Sequence, residues 1–129
     1  MKRLALSLAL LAVAATSAGW RLARAPDAAD LLGTWRVDLR PTPDAEPYLQ
    51  DFVVTSVEGG AIEGTFYGTP IAHSRLNADW GAVSFAFVTY DASGPYHHAG
   101  RLEGGRLEGS TYAVGRGFVL PWRAERAAE

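Results

Sequence analysis

The 129-residue chain contains no cysteine, which excludes a disulfide bond, lipid attachment through a thiol and a thiolate nucleophile. It also lacks a Gly-x-Ser-x-Gly elbow and a glycine-rich phosphate loop before a helix. His97 and His98 are adjacent, so on a strand they point to opposite faces and cannot share a metal ion, and His73 is the only other histidine. We therefore expect a protein that is not an enzyme and that has no cofactor and no metal site.

Positive charge is scarce as well. Lys2 is the only lysine, and residues 19–129 carry 10 arginines against 14 acidic residues. A nucleic-acid-binding protein needs a basic face, and an anionic membrane surface attracts basic segments. The composition argues against both partners.

The N-terminus has the organisation of an export signal. Residues 2–3 are basic, residues 4–15 form an apolar run too short to span a bilayer, and small residues follow up to Ala18. We predict a signal peptide over residues 1–18 with cleavage after Ala18. Cleavage after Ala25 and an uncleaved anchor helix are the alternatives. The processed protein is then a soluble periplasmic or secreted protein with no membrane span.

A ten-residue phrase occurs twice in the chain, 45 positions apart. Residues 58–67 read EGGAIEGTFY and residues 103–112 read EGGRLEGSTY. Two glycines between alternating strands supply the positive φ angles of a two-residue hairpin turn. The phrase therefore predicts two tight β-hairpins and an internal two-fold repeat of similar antiparallel halves.

After residue 30 the chain consists of short segments in which apolar and polar residues alternate. No stretch of ten residues there has helical periodicity. We predict a single all-β domain over residues 31–126, an eight-stranded antiparallel up-and-down barrel, with a β-sandwich as the alternative. Residues 19–30 are predicted to form a flexible N-terminal arm with one helical turn around 27–32. Residues 41–49 are predicted to form the longest irregular loop. The predicted strands are 33–40, 50–57, 62–67, 71–78, 82–90, 96–102, 106–114 and 118–125.

Side-chain alternation predicts which residues face the interior. An eight-stranded barrel has an interior that is either filled by side chains or able to hold one small ligand. Gly64 and Gly109 fall on the inward face, where they either leave space or let a large neighbour fill it. The predicted inward residues are Trp35, Val37, Leu39, Ile62, Phe66, Val83, Phe85, Phe87, His98, Leu102, Leu107, Phe118, Leu120 and Trp122.

The same alternation places other polar and aromatic residues outside. Glu63 and Glu108 share the outward face, so we interpret them as solvated side chains and not as the paired carboxylates of a glycosidase. Tyr67 and Tyr112, with Tyr90, are candidates for an outward aromatic strip that contacts a protein. Cross-strand pairing within the sheet is the simpler interpretation of these tyrosines.

The segments 33–35 (GTW), 52–55 (FVVT) and 60–66 (GAIEGTF) resemble the opening strands of the avidin and lipocalin (calycin) barrels. The resemblance covers residues 31–67 and, through the repeat, 96–112, and it implies the barrel fold. The biotin site of avidins is not matched, because Phe66 and Gly68 stand where that family has a tyrosine and a serine. Exported barrel inhibitors of bacterial metalloproteases are a further resemblance, in which an N-terminal arm such as 19–30 enters the target.

Two functional hypotheses follow. In the first, the exported barrel binds a small apolar ligand inside, with Trp35, Phe66, Phe85, Phe87, His98 and Trp122 as the ligand-binding residues. In the second, it is an envelope protein–protein interaction or inhibitor module that acts through its surface and the N-terminal arm.

Overall fold

A computed structural model describes residues 25–128, so the predicted signal peptide and residues 19–24 of the predicted arm lie outside the described residues. The described chain forms one antiparallel sheet of nine strands. These are β1 (Gly33–Asp38), β2 (Leu49–Glu58), β3 (Ala61–Phe66), β4 (Thr69–Pro70), β5 (Ala72–Asn77), β6 (Val83–Asp91), β7 (Gly94–Glu103), β8 (Arg106–Ala113) and β9 (Phe118–Arg126).

The sheet has the order β4-β3-β2-β1-β9-β8-β7-β6-β5. Strands that follow one another along the chain pair side by side, except β4 and β5, which form the two edges of the sheet. β1 pairs with β9 in antiparallel register from Trp35↔Arg126 to Asp38↔Arg123. The sheet therefore curls into a nearly closed barrel. The predicted all-β antiparallel barrel is confirmed.

The predicted number of strands was wrong, since the structure has nine and not eight. The additional strand, β4, lies between the predicted strands 62–67 and 71–78, and only Ile71 separates it from β5. Pro70 has no N–H to donate to a ladder, and His73 has a positive φ of 54°. These two residues interrupt what would otherwise be one strand, so β4 pairs with β3 and β5 pairs with β6.

The barrel closes between β3 and β5 through a side chain. The Ser74 hydroxyl accepts a hydrogen bond from the Ile62 N–H (2.9 Å) and donates one to the Ile62 carbonyl (2.7 Å). Below it, the Leu76 N–H donates to the Gly60 carbonyl (2.8 Å). Ser74 thus satisfies a buried peptide group that has no ladder partner.

Both copies of the repeated phrase form the predicted hairpins. Gly59 and Gly60 turn β2 into β3 with φ of 59° and 74°, and Gly104 and Gly105 turn β7 into β8 with φ of 61° and 77°. Two consecutive positive φ values are those of the turn that matches the twist of a hairpin. The two hairpins are confirmed, and the two-fold relation between halves of the chain stays a prediction.

One end of the barrel is covered by residues that precede β1. A 3₁₀ turn over Ala28–Leu31, within the helical turn predicted from the sequence, buries Leu31 completely. The Trp35 indole donates to the Leu31 carbonyl (2.9 Å). Arg126 donates to the carbonyls of Asp30 and Leu32, and its guanidinium lies 4.3 Å from the Trp35 ring centroid. These contacts fix the turn on the barrel.

The predicted interior is largely confirmed. Eleven of the fourteen predicted inward residues are buried, and Leu39 packs against the core. Phe118 is 38% exposed and Leu120 is only half-buried. Both lie where β9 begins, at the end of the barrel opposite to the Ala28–Leu31 turn. The core also contains Leu31, Phe52 and Val54, which the prediction of inward residues omitted.

Candidate functional site

The six predicted ligand-binding residues come together inside the barrel. They project inward from β1, β3, β6, β7 and β9, and each is at most 4% exposed. They are Trp35, Phe66, Phe85, Phe87, His98 and Trp122.

His98 is the polar centre of this cluster. Its Nε2 lies 2.8 Å from the Thr89 hydroxyl and its Nδ1 lies 2.8 Å from the Thr111 hydroxyl. The Trp122 indole donates to the Thr111 hydroxyl as well (3.0 Å). Both ring nitrogens are therefore used by buried threonines, and neither is free for a ligand while this network holds.

Aromatic rings enclose the imidazole. The centroid of the His98 ring lies 4.4 Å from that of Phe66 and 4.7 Å from that of Phe87, and the Phe87 ring is nearly parallel to it (19°). Phe66 also packs against Trp122 at 5.9 Å, and Phe52 stacks on Phe87 at 5.2 Å. Side chains fill the barrel at this level.

Burial makes His98 a weak base. Removal from water, with a smaller contribution from the neighbouring His97, lowers the pKa of His98 to about 4. A neutral imidazole has one N–H donor and one acceptor nitrogen. One threonine hydroxyl therefore donates to the ring and the other accepts from it.

Two glycines make room for the large rings. A Cβ on Gly109 would lie 2.5 Å from the Trp122 ring, and a Cβ on Gly100 would lie 2.8 Å from Cζ of Phe85. The missing side chain at Gly109 is thus filled by a large neighbour, one of the two outcomes that the sequence allowed. Gly64 is different, because its φ of 153° and the Val53 carbonyl 1.8 Å from an added Cβ require glycine.

Thr89 and Thr111 were not among the predicted site residues. Alternation alone could have found them, because Thr89 follows Phe85 and Phe87 on the inward face of β6. Thr111 follows Leu107 and Gly109 on β8 in the same way. The prediction of inward residues selected bulky apolar side chains and therefore omitted the two threonines.

The outward glutamates are exposed, and the outward tyrosines do not lie side by side. Glu63 and Glu108 are exposed, as predicted. Tyr67 follows β3 and Tyr112 lies on β8, with β2, β1 and β9 between them, so they do not form one strip. Tyr67 packs edge-on against Tyr48, whereas Tyr112 stacks on His97 (5.5 Å, 17°).

Exposed apolar side chains concentrate at one end of the barrel, where the connections 39–48, 67–68, 92–93 and 114–117 lie. Of the nine large hydrophobic residues exposed in the described chain, only Leu32 and Trp80 lie at the other end. The other seven are Tyr48, Leu49, Tyr67, Tyr90, Val114, Phe118 and Val119.

A row of residues without Asp, Glu, Lys or Arg continues this end onto the outer wall. Val88, His97, Tyr112 and Val119 lie opposite one another on β6, β7, β8 and β9. The next outward row is also free of these charged residues and consists of Ala86, Ala99, Ser110 and Pro121. We call the seven exposed residues and these two rows the apical surface.

The chain matches no protein-family model, no curated protein and no solved structure. Its nearly closed antiparallel barrel is compatible with the calycin-like resemblance, which stays a prediction in the absence of a relative. Within residues 25–128, no helix has the length and apolar content required to cross a lipid bilayer.

Proposed function

We propose that this protein is an exported, non-enzymatic β-barrel that binds an envelope protein through the apical surface. The observation that carries the proposal is the concentration of exposed apolar residues at one end. Val114, which follows β8, is 75% exposed, and Val119, which belongs to the first outward row, is 69% exposed. A large exposed apolar patch is uncommon on monomeric soluble proteins and is typical of interaction sites.

Below the two outward rows the wall of the barrel is charged, and the apical connections carry charged residues of their own, among them Asp44, Glu46 and Arg116. The third outward row, further from the apical end, carries Arg101, Glu108 and Arg123. An apolar patch bordered by charged residues resembles the core and rim of a protein–protein interface. Because the apical surface continues around a barrel wall, the partner should present a concave surface that receives this end.

Site-specific photo-crosslinking in the envelope tests the proposal. A photoreactive amino acid at Val119 should give a discrete crosslinked protein, and the same amino acid at Trp80 should not. Trp80 is a matched control because it is also exposed (86%) but lies at the opposite end. Introducing Val114→Asp should abolish the Val119 crosslink. Equal crosslinking from both positions, or a crosslink that survives Val114→Asp, would contradict the proposal.

A small apolar ligand inside the barrel is the second candidate, and its support is that all six predicted residues are buried there, with Phe66 and Phe87 against His98. Binding there requires a ring such as Phe66, 4% exposed, to move aside. Loss of a buried aromatic side chain from its packed position costs about 3–5 kcal/mol, which the ligand must repay. Native mass spectrometry of gently purified protein distinguishes the candidates, since a retained small molecule favours the interior site and a bare chain opposes it.

A further inference from the structure

A groove of about 590 Å³ lies on the outer wall, between the 39–48 connection and strands β8 and β9. This volume is within the range of small-molecule sites, roughly 300–1,000 Å³. One side is formed by the connection, and the other by outward residues of β8 and β9 together with the inward Gly109, Leu120 and Trp122. The lining residues used below are Asp38, Arg40, Pro41, Pro43, Glu108, Pro121 and Arg123.

The connection is held in place by one carboxylate. Asp38 accepts hydrogen bonds from Nε and Nη2 of Arg40 (2.9 and 2.5 Å) and from the N–H groups of Arg40 and Tyr48 (both 3.1 Å). The Arg40 hydrogen bond is the main reason that the pKa of Asp38 is lowered. Pro41 and Pro43 further fix the backbone. This wall of the groove is therefore formed before any ligand arrives.

The opposite wall carries two uncommitted charges. Glu108 and Arg123 face each other in register on β8 and β9. Within residues 25–128, neither forms an ion pair within 4.0 Å. By contrast, Asp38, the other register neighbour of Arg123, pairs with Arg40. Arg101, the other register neighbour of Glu108, pairs with Glu103.

We propose that this groove binds a short peptide of two or three residues with free termini. The Arg123 guanidinium would receive the terminal carboxylate, a geometry that arginine favours, and Glu108 would receive the terminal ammonium. A purely anionic ligand would meet repulsion from Glu108, and a cationic one from Arg123.

Prolines select the side chains of the peptide. Pro41 and Pro43 line one side of the groove and Pro121 lines the other, so an apolar side chain between them loses its contact with water. Burying it contributes about 25 cal/mol per Å² of apolar area. The site should therefore prefer Leu-Leu to Gly-Gly.

Two-dimensional amide NMR of the folded protein tests the proposal. Leu-Leu should shift the amides around 41–43 and 120–123, and both Arg123→Gln and Glu108→Gln should weaken binding about tenfold or more. Arg101→Gln is the matched control, because Arg101 belongs to the same row but does not line the groove. Acetyl-Leu-Leu-amide, which has no charged terminus, should bind much more weakly.

Several outcomes would overturn the proposal. The blocked peptide or acetate alone could bind as tightly as Leu-Leu. The Arg123 and Glu108 variants could bind Leu-Leu as tightly as the wild-type protein does. Finally, millimolar Leu-Leu could shift no amide. Because all the variants are at exposed positions, retained amide dispersion in each spectrum shows that the fold is intact.

Discussion

Acidification should destabilise this barrel through one buried histidine. The folded-state pKa of His98 is about 4, against an ordinary value of 6.5. The unfolded chain therefore binds a proton more readily than the folded one. The stability linked to His98 is complete above pH 6.5, declines as the pH falls through 6.5, and is lost by about pH 4. At 1.36 kcal/mol per pKa unit, the total loss is about 3 kcal/mol.

Carboxylates do not obscure this window. The pKa values of Asp38 and Asp91 are lowered, mainly by hydrogen bonds from Arg40 and Ser93. A carboxylate with a lowered pKa stabilises the fold above its ordinary pKa of 3.8 and loses that contribution only below it. Between pH 6.5 and 4.5 the change in unfolding free energy should therefore come from His98.

Urea unfolding from pH 7.5 to 4.5 measures the effect. The wild-type free energy of unfolding should fall by between about 2 and 3 kcal/mol over this range. His98→Gln retains one donor and one acceptor for the threonines but does not titrate, so its free energy should change little. His97→Gln, on the outer face, should behave like wild type. Parallel pH profiles for wild type and His98→Gln would refute the reasoning, as would an imidazole NMR titration of His98 near pH 6.5.

Two packing predictions accompany this one. Gly109→Ala should destabilise the fold by several kcal/mol, because its Cβ would lie 2.5 Å from an indole ring, whereas Gly115→Ala meets nothing within 4 Å and should be nearly neutral in thermal unfolding. A neutral Gly109→Ala would show that the indole moves freely. Ser74→Ala leaves the buried N–H and C=O of Ile62 without partners and should cost about 2–4 kcal/mol. The exposed Ser84→Ala is its control in urea unfolding, and equal stability of the two variants would contradict the role of the hydroxyl.

Alternation and turn chemistry predicted most of the fold. Trp35, Phe85 and Phe87 face inward because a strand with one buried face must alternate. The Gly-Gly hairpins followed from the positive φ values that their turns require. The sequence also placed His98 on the inward face, since Leu102 on the same strand faces inward.

The remaining features depend on contacts between distant segments. The break after Pro70 arises where the chain stops pairing with β3, as β4, and begins to pair with β6, as β5, which a local pattern does not show. The hydrogen bonds that join Thr89, His98 and Thr111 cross three strands and depend on their register. The apical surface was missed because its members are separate in sequence and come together only when the barrel closes.

The pairing of β1 with β9 has a consequence for how the chain reaches its folded state. Every other pairing joins neighbouring strands, whereas Trp35 and Arg126 are about 90 residues apart. Bringing the ends of such a segment together costs about 4 kcal/mol of chain entropy. Hairpins such as β7–β8 form on the microsecond timescale, so we expect closure of β1 against β9 to set the folding rate. Until that step, both strands expose unpaired backbone groups to other chains, and refolding should become less efficient as protein concentration rises.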